Sequence, residues 1–399
     1  MRSIPCLLLT VACSVVHAAE APKVPEAPKV AEAPKVVPSV KLDLPPVIYT
    51  VPGIEANIYF DNVSLCVNPK NYVFDVTCNR GQQQVERWTY MPKEKDVGQF
   101  TLRLDVLDGA NRVVASDTTM IKVSPQKAGA GVPASILIMG DSLTAATIYP
   151  TQVHENCQAE GNPALTMVGS VARGPVRHEG YGGWTAHRFA TYHLPNGSAR
   201  TGKRATSGSP FLYKKEDGTF ALDYGRYCQD MNGGKAPDYV TILLGCNDTF
   251  SASDETIEER IATMLEHYDT LVAMIHKLNP KTKIGVLLLA PPAGTQDAFG
   301  ANYKSGQTRW QYKRNQFRVV ERLTEQYGKR EKEGIYIVPA NANLDCLRNY
   351  PSRNAAPNAR ATVKELRLSN GVHPGAAGYK QLGDTIYCWL KAMLAKSAK

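Results

Sequence analysis

Ser135-Ile-Leu-Ile-Met-Gly-Asp-Ser-Leu-Thr144 is the stretch that decides the fold, because an apolar run ends there in a glycine-led turn. A short apolar run without polar alternation is typical of a strand buried in a parallel sheet. Open α/β folds place their chemistry at the carboxyl edge of such a sheet. A serine on the strand-to-helix turn lifts its hydroxyl above the sheet, in front of the N–H groups of the helix. Ser142 is therefore the candidate nucleophile, although an ordinary turn with an Asp or Ser N-cap has the same sequence.

Apolar runs and amphipathic segments alternate over residues 134–399. The predicted strands are Ile136 to Met139, Leu165 to Val168, Tyr239 to Leu244, Ile284 to Leu289 and Ile335 to Val338. The predicted helices are Asp254 to Leu278, Tyr312 to Tyr327 and Ala376 to Leu394. Strands joined by crossover helices form a parallel sheet with helices on both faces. We expect a doubly wound α/β domain, with the irregular polar segment Trp184 to Ala236 inserted over the carboxyl edge of the sheet.

Residues 46–126, which precede this domain, follow a period of two. Phe100, Leu102, Leu104 and Val106 share one face of a predicted strand, and turn sequences separate it from its neighbours. Short alternating strands at this spacing predict a small all-β sandwich domain. Such an accessory domain is either a glycan-binding module or a structural spacer. We interpret the Gly-, Ala- and Pro-rich residues 127–133 as a linker.

The N-terminal residues point to export. Residues 1–18 combine Arg2, an apolar segment and the small-residue pattern Val16-His17-Ala18, which predicts a cleaved signal peptide and a secreted or periplasmic protein. A lipid anchor at Cys13 is not favoured, because the residue before it does not fit a lipoprotein cleavage box. Residues 19–45 contain a proline-rich unit repeated in tandem, which predicts an extended tether. No other stretch reaches the roughly 18 apolar residues of a transmembrane segment.

Composition narrows the class of function. The 399 residues carry a net charge of +9 and no dense Lys/Arg run with interleaved aromatic residues, so a nucleic-acid partner is not expected. Cys6 and Cys13 belong to the predicted signal peptide, and the remaining cysteines show no Cys-x-x-Cys spacing. In an exported protein this pattern favours disulfides over zinc. Cys66 and Cys78 are a candidate pair, whereas Cys246 is expected to stay reduced.

Three further stretches lie at the ends of predicted elements. They are His178-Glu-Gly-Tyr-Gly-Gly-Trp184, Leu244-Gly-Cys-Asn-Asp248 and Asn370-Gly-Val-His-Pro374. Together with the turn around Ser142 they supply Ser, Gly, Asn and His in chain order. This order resembles the SGNH/GDSL hydrolase family, and the resemblance covers about residue 134 to the C-terminus. Each motif alone is common, but four in the family's order are specific.

The resemblance implies a role for each of these residues. His373 is implied as the general base that takes the proton of Ser142. The Ser142 N–H, the Gly183 N–H and the side-chain amide of Asn247 are implied as the donors of the oxyanion hole. A glycine at position 183 lets the backbone approach a substrate closely. No metal and no organic cofactor is expected.

One position departs from the family pattern. The family places Asp three residues before the histidine, where this chain has Asn370. An amide oxygen accepts a bond from the imidazole N–H, but it does not neutralise the imidazolium that forms in the transition state. In the Ser-His-Asp triad the same change lowers turnover about 10,000-fold. Either Asn370 suffices as the third catalytic residue for an activated ester, or Asp345, Glu365 or a backbone carbonyl orients His373.

The sequence thus predicts a secreted serine esterase that removes O-acetyl groups from a glycan. Export, an accessory β-domain and a polar insertion favour an acetylated glycan over a lipid substrate. His178 and Trp184, which flank the glycine turn, are candidate substrate contacts. A general arylesterase or lipase-like esterase acting on a small ester is the alternative within the class. A catalytically weak glycan-binding protein on the same fold is the alternative outside it.

Overall fold

The computed structural model describes residues 40–194 and 208–397. The predicted signal peptide and the repeats of the predicted tether lie outside the described residues. Residues 40–45, assigned to the end of the tether, belong to the fold instead, because Val40 and Leu44 are buried in the core of the β-rich region.

The strands of the described residues, in chain order, are β1 (Lys41–Leu42), β2 (Val47–Thr50), β3 (Ala56–Tyr59), β4 (Ser64–Leu65), β5 (Val73–Thr77), β6 (Gln82–Gln83), β7 (Arg87–Tyr90), β8 (Gly98–Leu107), β9 (Val113–Val123), β10 (Pro133–Gly140), β11 (Ala164–Val168), β12 (Val171–Arg173), β13 (Val176–Gly180), β14 (Leu212–Lys214), β15 (Phe220–Leu222), β16 (Tyr239–Leu243), β17 (Lys283–Leu287), β18 (Ile335–Val338), β19 (Ser352–Ala355) and β20 (Glu365–Leu368). The α-helices are α1 (Phe60–Val63), α2 (Ser142–Ala145), α3 (Ile148–Gln158), α4 (Ala186–Thr191), α5 (Tyr224–Asn232), α6 (Cys246–Thr249), α7 (Ile257–Leu278), α8 (Gln296–Tyr303), α9 (Arg309–Tyr327) and α10 (Ala376–Ser397). Short 3₁₀ turns cover Pro69–Asn71, Glu94–Asp96 and Glu331–Glu333.

The central sheet has seven strands in the order β12-β13-β10-β16-β17-β18, with β11 also paired to β10. Its pairings are parallel, except for the antiparallel edge pair of β12 and β13. Each of the five predicted strands is part of this sheet. Strand β10 pairs with both β13 and β16, so that the carboxyl ends of these three strands meet at one place. The predicted doubly wound parallel sheet is confirmed.

The helices fall into two packed groups around this sheet. Helices α3 and α10 pack against each other, whereas α4, α5 and α9 each contact α7. The three predicted helices correspond to α7, α9 and α10. None of the helices in residues 40–194 and 208–397 combines the length and the apolar character of a membrane-spanning segment.

The N-terminal region is rich in β-structure, as predicted. A four-stranded sheet has the order β2-β9-β8-β5, and a three-stranded sheet has the order β3-β7-β6. Its core includes the predicted strand face with Leu102, Leu104 and Val106, all fully buried. The hairpin of β8 and β9 supplies the longest ladder of this region.

The β-rich region and the α/β part share side chains across the predicted boundary. Ala342, which follows β18, is buried in the β-rich core, and Tyr49 of β2 is buried in the main core. Residues Pro38–Lys399 form one compact unit. The residues predicted as a linker form consecutive turns, and Leu394 of α10 lies against Gly129. That residues 46–126 form a separate domain stays a prediction.

The expected disulfides are absent from the described residues. All seven described cysteines are free, including Cys66 and Cys78. Six of the seven are buried, and they pack as small apolar side chains in separate parts of the cores. The proposed Cys66–Cys78 bridge is therefore wrong, whereas the expectation that Cys246 is reduced agrees with the structure.

Candidate active site

Ser142 opens α2, directly after β10 and the N-cap residue Asp141. The Asp141 carboxylate accepts a hydrogen bond from the N–H of Leu143 at 2.9 Å, which fixes the turn. Gly140 is required at the strand end, because a Cβ there would lie 2.8 Å from the carbonyl oxygen of Leu243. Since Ser142 itself is only partly buried, its hydroxyl stands at the accessible edge of the sheet.

The side chains of Ser142 and His373 meet at this edge. His373 Nε2 lies 2.8 Å from Ser142 Oγ, although the two residues are 231 positions apart in the chain. His373 lies in the loop that precedes α10 and is partly buried. A hydrogen bond of this length lets a neutral imidazole accept the hydroxyl proton. The arrangement has the geometry of a nucleophile and its general base.

Asn370 lies in the same loop and binds its backbone. Its Oδ1 accepts hydrogen bonds from the N–H of Val372 at 3.1 Å and from the N–H of His373 at 2.9 Å. These bonds close a turn that holds the backbone of the histidine. The structure therefore places Asn370 at the site, and its role in orienting the imidazole ring stays a prediction.

Neither of the two carboxylates considered as alternatives is directed at His373. Asp345 Oδ1 accepts bonds from two backbone N–H groups at 3.0 Å, and its Oδ2 pairs with Arg348. Glu365 is exposed on β20 and pairs with Arg367. Both carboxylates serve local structure, so the structure does not support either of them as the group that orients His373.

The turn of Gly183 and the side chain of Asn247 lie beside Ser142. Gly183 has a φ of +76°, and a Cβ added there would meet no protein atom within 4 Å. The positive φ, rather than crowding by protein neighbours, therefore requires glycine here. Asn247 Nδ2 donates to the carbonyl oxygen of Trp184 at 2.9 Å and lies 3.3 Å from Asp141 Oδ2. These bonds hold the amide between the turn of Ser142 and the turn of Gly183.

Two acidic side chains, the buried Asp141 and the partly buried Asp248, lie beneath the site. Asp141 is 1% exposed, and burial, together with the nearby charge of Asp248, raises its pKa to about 7. Asp248 Oδ1 accepts the N–H of Ala186 at 3.1 Å, while its Oδ2 is buried without a hydrogen-bond partner. Burial raises the pKa of Asp248 to about 7 as well. In the part of the chain that the structure describes, no group of three or more His, Cys, Asp or Glu side chains could hold a metal ion.

His178 and Trp184 belong to the packed interior, and this burial does not support their predicted contact with substrate, which stays a prediction. The His178 ring is fully buried, with Nδ1 accepting the Gly180 N–H at 3.0 Å and Nε2 lying 3.0 Å from Thr147 Oγ1. Burial lowers the pKa of His178 to about 4. The Trp184 ring is 1% exposed and packs against Tyr181, with ring centroids 4.4 Å apart. Both rings support the glycine turn from within.

An aromatic cluster behind the histidine loop was not predicted. Phe299 of α8 packs directly against Gly371, and the hydroxyl of Tyr312 of α9 lies 3.1 Å from Cys246 Sγ. Burial raises the pKa of the Cys246 thiol well above its usual range, so this cysteine stays protonated. The sequence gives no sign of these contacts. An aromatic residue on the buried face of a helix fits the same periodic pattern whether it packs against an active-site loop or against the core.

A doubly wound sheet with a serine–histidine pair at its carboxyl edge is the arrangement of SGNH-type serine hydrolases. The chain belongs to the GDSL-like lipase/acylhydrolase family, whose family model matches residues 138–381. By family, the protein is a carboxylic ester hydrolase. The match begins within β10 and ends within α10, so it covers Ser142, Gly183, Asn247 and His373 and leaves out the β-rich region.

Solved structures of esterases have a similar fold. A family 3 carbohydrate esterase from Clostridium thermocellum is 16% identical, with 67% of this chain and 100% of that chain covered and a TM-score of 0.39. A family 3 carbohydrate esterase from Talaromyces cellulolyticus has the same identity and coverage, with a TM-score of 0.38. An acetyl esterase mutant with a bound acetate ion also has the same identity and coverage and a TM-score of 0.38. These likenesses concern the fold alone. No curated protein matched the sequence.

Proposed function

We propose that the protein is an exported serine esterase that removes O-acetyl groups from a glycan through an acyl-enzyme intermediate. The observation that carries the mechanism is the 2.8 Å distance between Ser142 Oγ and His373 Nε2. A serine hydroxyl is a weak nucleophile at neutral pH, and an adjacent imidazole activates it by accepting its proton.

The reaction follows from this pair. As Ser142 Oγ attacks the acyl carbon, its proton passes to His373 Nε2, and the carbonyl oxygen becomes an oxyanion. When the tetrahedral intermediate collapses, the same proton passes to the leaving alcohol oxygen, and the acyl group stays on Ser142. A water molecule then attacks the acyl-enzyme and gives its proton to His373. As the bond between the acyl carbon and Ser142 Oγ breaks, His373 returns this proton to Oγ, and the carboxylic acid leaves.

The proposed oxyanion donors are the N–H groups of Ser142 and Gly183 and the Nδ2 group of Asn247. Without substrate, Asn247 Nδ2 contacts Trp184 O at 2.9 Å and Asp141 Oδ2 at 3.3 Å. The longer of these contacts is the weaker one. We propose that the N–H facing Asp141 is the one that serves the oxyanion, while the bond to Trp184 keeps the amide in place. Preorganised donors of this kind contribute about 100- to 1000-fold each to turnover.

The charged surface of the insertion supports a polar substrate. Its large aromatic residues, such as Phe211 and Tyr227, are buried in the main core. The turn of the β14–β15 hairpin is exposed and charged, with Lys214, Lys215 and Glu216 in sequence. The described part of the insertion therefore exposes charged side chains to solvent. Such a surface fits a hydrated glycan better than a long acyl chain. The predicted signal peptide, which implies a location outside the cytoplasm, fits a glycan substrate as well.

Labelling with a fluorophosphonate tests the mechanism. The reagent should label the wild-type protein once and should not label Ser142→Ala, which should also lose hydrolysis of p-nitrophenyl acetate. Ser135→Ala is the matched control, because Ser135 lies on the same strand, where it bonds to Asp238 at the opposite end. If Ser142→Ala keeps wild-type activity, the nucleophile is wrongly assigned.

The substrate class needs a second experiment. Acetate release from acetylated polysaccharides is compared with the hydrolysis of p-nitrophenyl esters of increasing chain length. Faster release from a glycan than from simple esters supports the proposal. A preference for longer or aromatic esters would favour a general arylesterase or lipase-like enzyme. Glycan binding without any turnover would make the protein a binding module on this fold.

A further inference from the structure

Asp61 links the β-rich region to two cationic side chains of the α/β part. It lies in the first turn of α1, and its carboxylate binds Arg309 Nη2 at 2.7 Å and the ammonium of Lys313. Both cations belong to α9, and the Lys313 residue is only 4% exposed. Without this carboxylate the buried ammonium would be left without a counter-charge, so the contact fixes α9 to the β-rich region.

Arg309 makes a second contact that leads toward the active site. Its Nε donates to the carbonyl oxygen of Ala293 at 2.9 Å. The N–H of Ala293 in turn donates to the carbonyl oxygen of Gly371 at 3.0 Å. Gly371 lies two residues before His373, in the turn that Asn370 closes. A continuous series of hydrogen bonds therefore runs from Asp61 to the backbone of the histidine loop.

A separate set of bonds reaches the other side of this loop. Asn62 Nδ2 donates to the carbonyl oxygens of Asn341 at 2.9 Å and Leu344 at 2.8 Å, and so holds the segment after β18. Further along that segment, the carbonyl oxygen of Asn349 accepts the N–H of Gly375 at 2.8 Å. Since Gly375 lies two residues after His373, neighbouring residues of α1 support both flanks of the histidine.

From these contacts we infer that Arg309, held by Asp61, is a positioning residue for His373, and that the β-rich region is part of the catalytic unit. The inference rests on the proposed role of His373 as the base. The planar guanidinium is suited to this task, because its separate N–H groups bind a carboxylate and a backbone carbonyl at the same time. An ammonium group in its place keeps the charge near Asp61 but does not span both acceptors.

Arg309→Lys is the test variant, and Arg318→Lys is its matched control. Arg318 also lies on α9 and also pairs with carboxylates, namely Glu258 and Glu321, but these bonds do not lead to the histidine loop. Arg309→Lys should lower kcat for p-nitrophenyl acetate by about 10- to 100-fold with KM little changed, since displaced catalytic groups cost turnover in this range. Arg318→Lys should keep the wild-type kcat. A kcat equal to that of the control would overturn the inference.

Amide hydrogen exchange gives a readout that does not depend on activity. In Arg309→Lys, peptides covering residues 369–375 should exchange faster than in the wild type, while strands β16 and β17 keep their protection. Asp61→Asn, which leaves Arg309 in place without its carboxylate, should produce the same local change. Unchanged exchange of residues 369–375 in both variants would overturn the inference even in a folded protein. If the wild type shows no Ser142-dependent hydrolysis, the proposed function fails, and the exchange data still decide whether Arg309 positions the loop.

Discussion

Replacing Asp248 by asparagine should remove part of the pH dependence of the free energy of unfolding. Asp248 Oδ2 is buried without a hydrogen-bond partner, and burial raises the pKa from 3.8 to about 7. The folded protein therefore holds a proton on this side chain between these two values, where the unfolded chain has released it. The stability that Asp248 contributes is complete below about pH 4, falls as the pH rises, and is lost above about pH 7.

The magnitude follows from the two pKa values. Because one pKa unit corresponds to about 1.4 kcal/mol, the whole cost of the ionised side chain is about 4 kcal/mol. Between about pH 5 and pH 8 the integrated loss is about 2.5 kcal/mol. These figures are upper values, since the residue as a whole is only partly buried and nearby solvent screens its charge.

Equilibrium unfolding in urea, followed by intrinsic fluorescence at several pH values, measures this effect. The wild-type free energy of unfolding should decline more steeply from about pH 5 to pH 8 than that of Asp248→Asn. Asp217→Asn is the control: Asp217 is exposed, and its hydrogen bonds to Thr219 keep its pKa low, so its curve should run parallel to the wild type. Parallel curves for Asp248→Asn as well would refute the reasoning, because they would mean that Asp248 is ionised throughout this range in the folded protein.

Two further predictions concern the catalytic residues. Asn370→Asp should raise turnover near neutral pH and move the acid limb of the pH–rate profile to higher pH, because a charge-assisted bond of about 1.5 to 3 kcal/mol favours the imidazolium. Kinetics over the pH range check this, and no change in either quantity would mean that another group orients His373. Gly183→Ala should cost about 1 to 2 kcal/mol of stability, because alanine is strained at a φ of +76°, and should lower kcat through the displaced N–H. A variant with wild-type stability and kcat would show that the turn does not need this conformation.

The sequence predicted the parts of the fold that follow from periodicity. The buried runs and the amphipathic helices were recognised because each spans several turns or a whole strand. Strand β13 was missed, since its residues include His178 and Glu179, which look exposed in a sequence and are fully buried in the structure. Glu179 accepts bonds from Ser170, Tyr181 and Tyr227, and such hydrogen-bond partners make a buried carboxylate tolerable.

The sequence predicted those residues of the site that lie just after neighbouring strands of the sheet. Ser142, Gly183 and Asn247 follow β10, β13 and β16, which are neighbours in the sheet. By contrast, the pairing of Asp61 with Arg309 spans 248 positions and joins two ordinary surface residue types. No local pattern distinguishes this pair from solvated charges, so its contact with the histidine loop came from the structure alone.

The separation of Ser142 and His373 along the chain has a consequence for folding and synthesis. Ser142 ends β10, whereas His373 precedes α10, which packs on α3 and also on β2 near the start of the described chain. Such non-local contacts form late, after the loops between them have closed. During synthesis Ser142 therefore emerges from the ribosome long before His373. In the same way, β2 is made long before α10, the helix against which it packs. Under the proposed mechanism, Ser142 becomes active only after the chain from β2 to α10 has folded. Esterase activity is therefore a measure of complete folding.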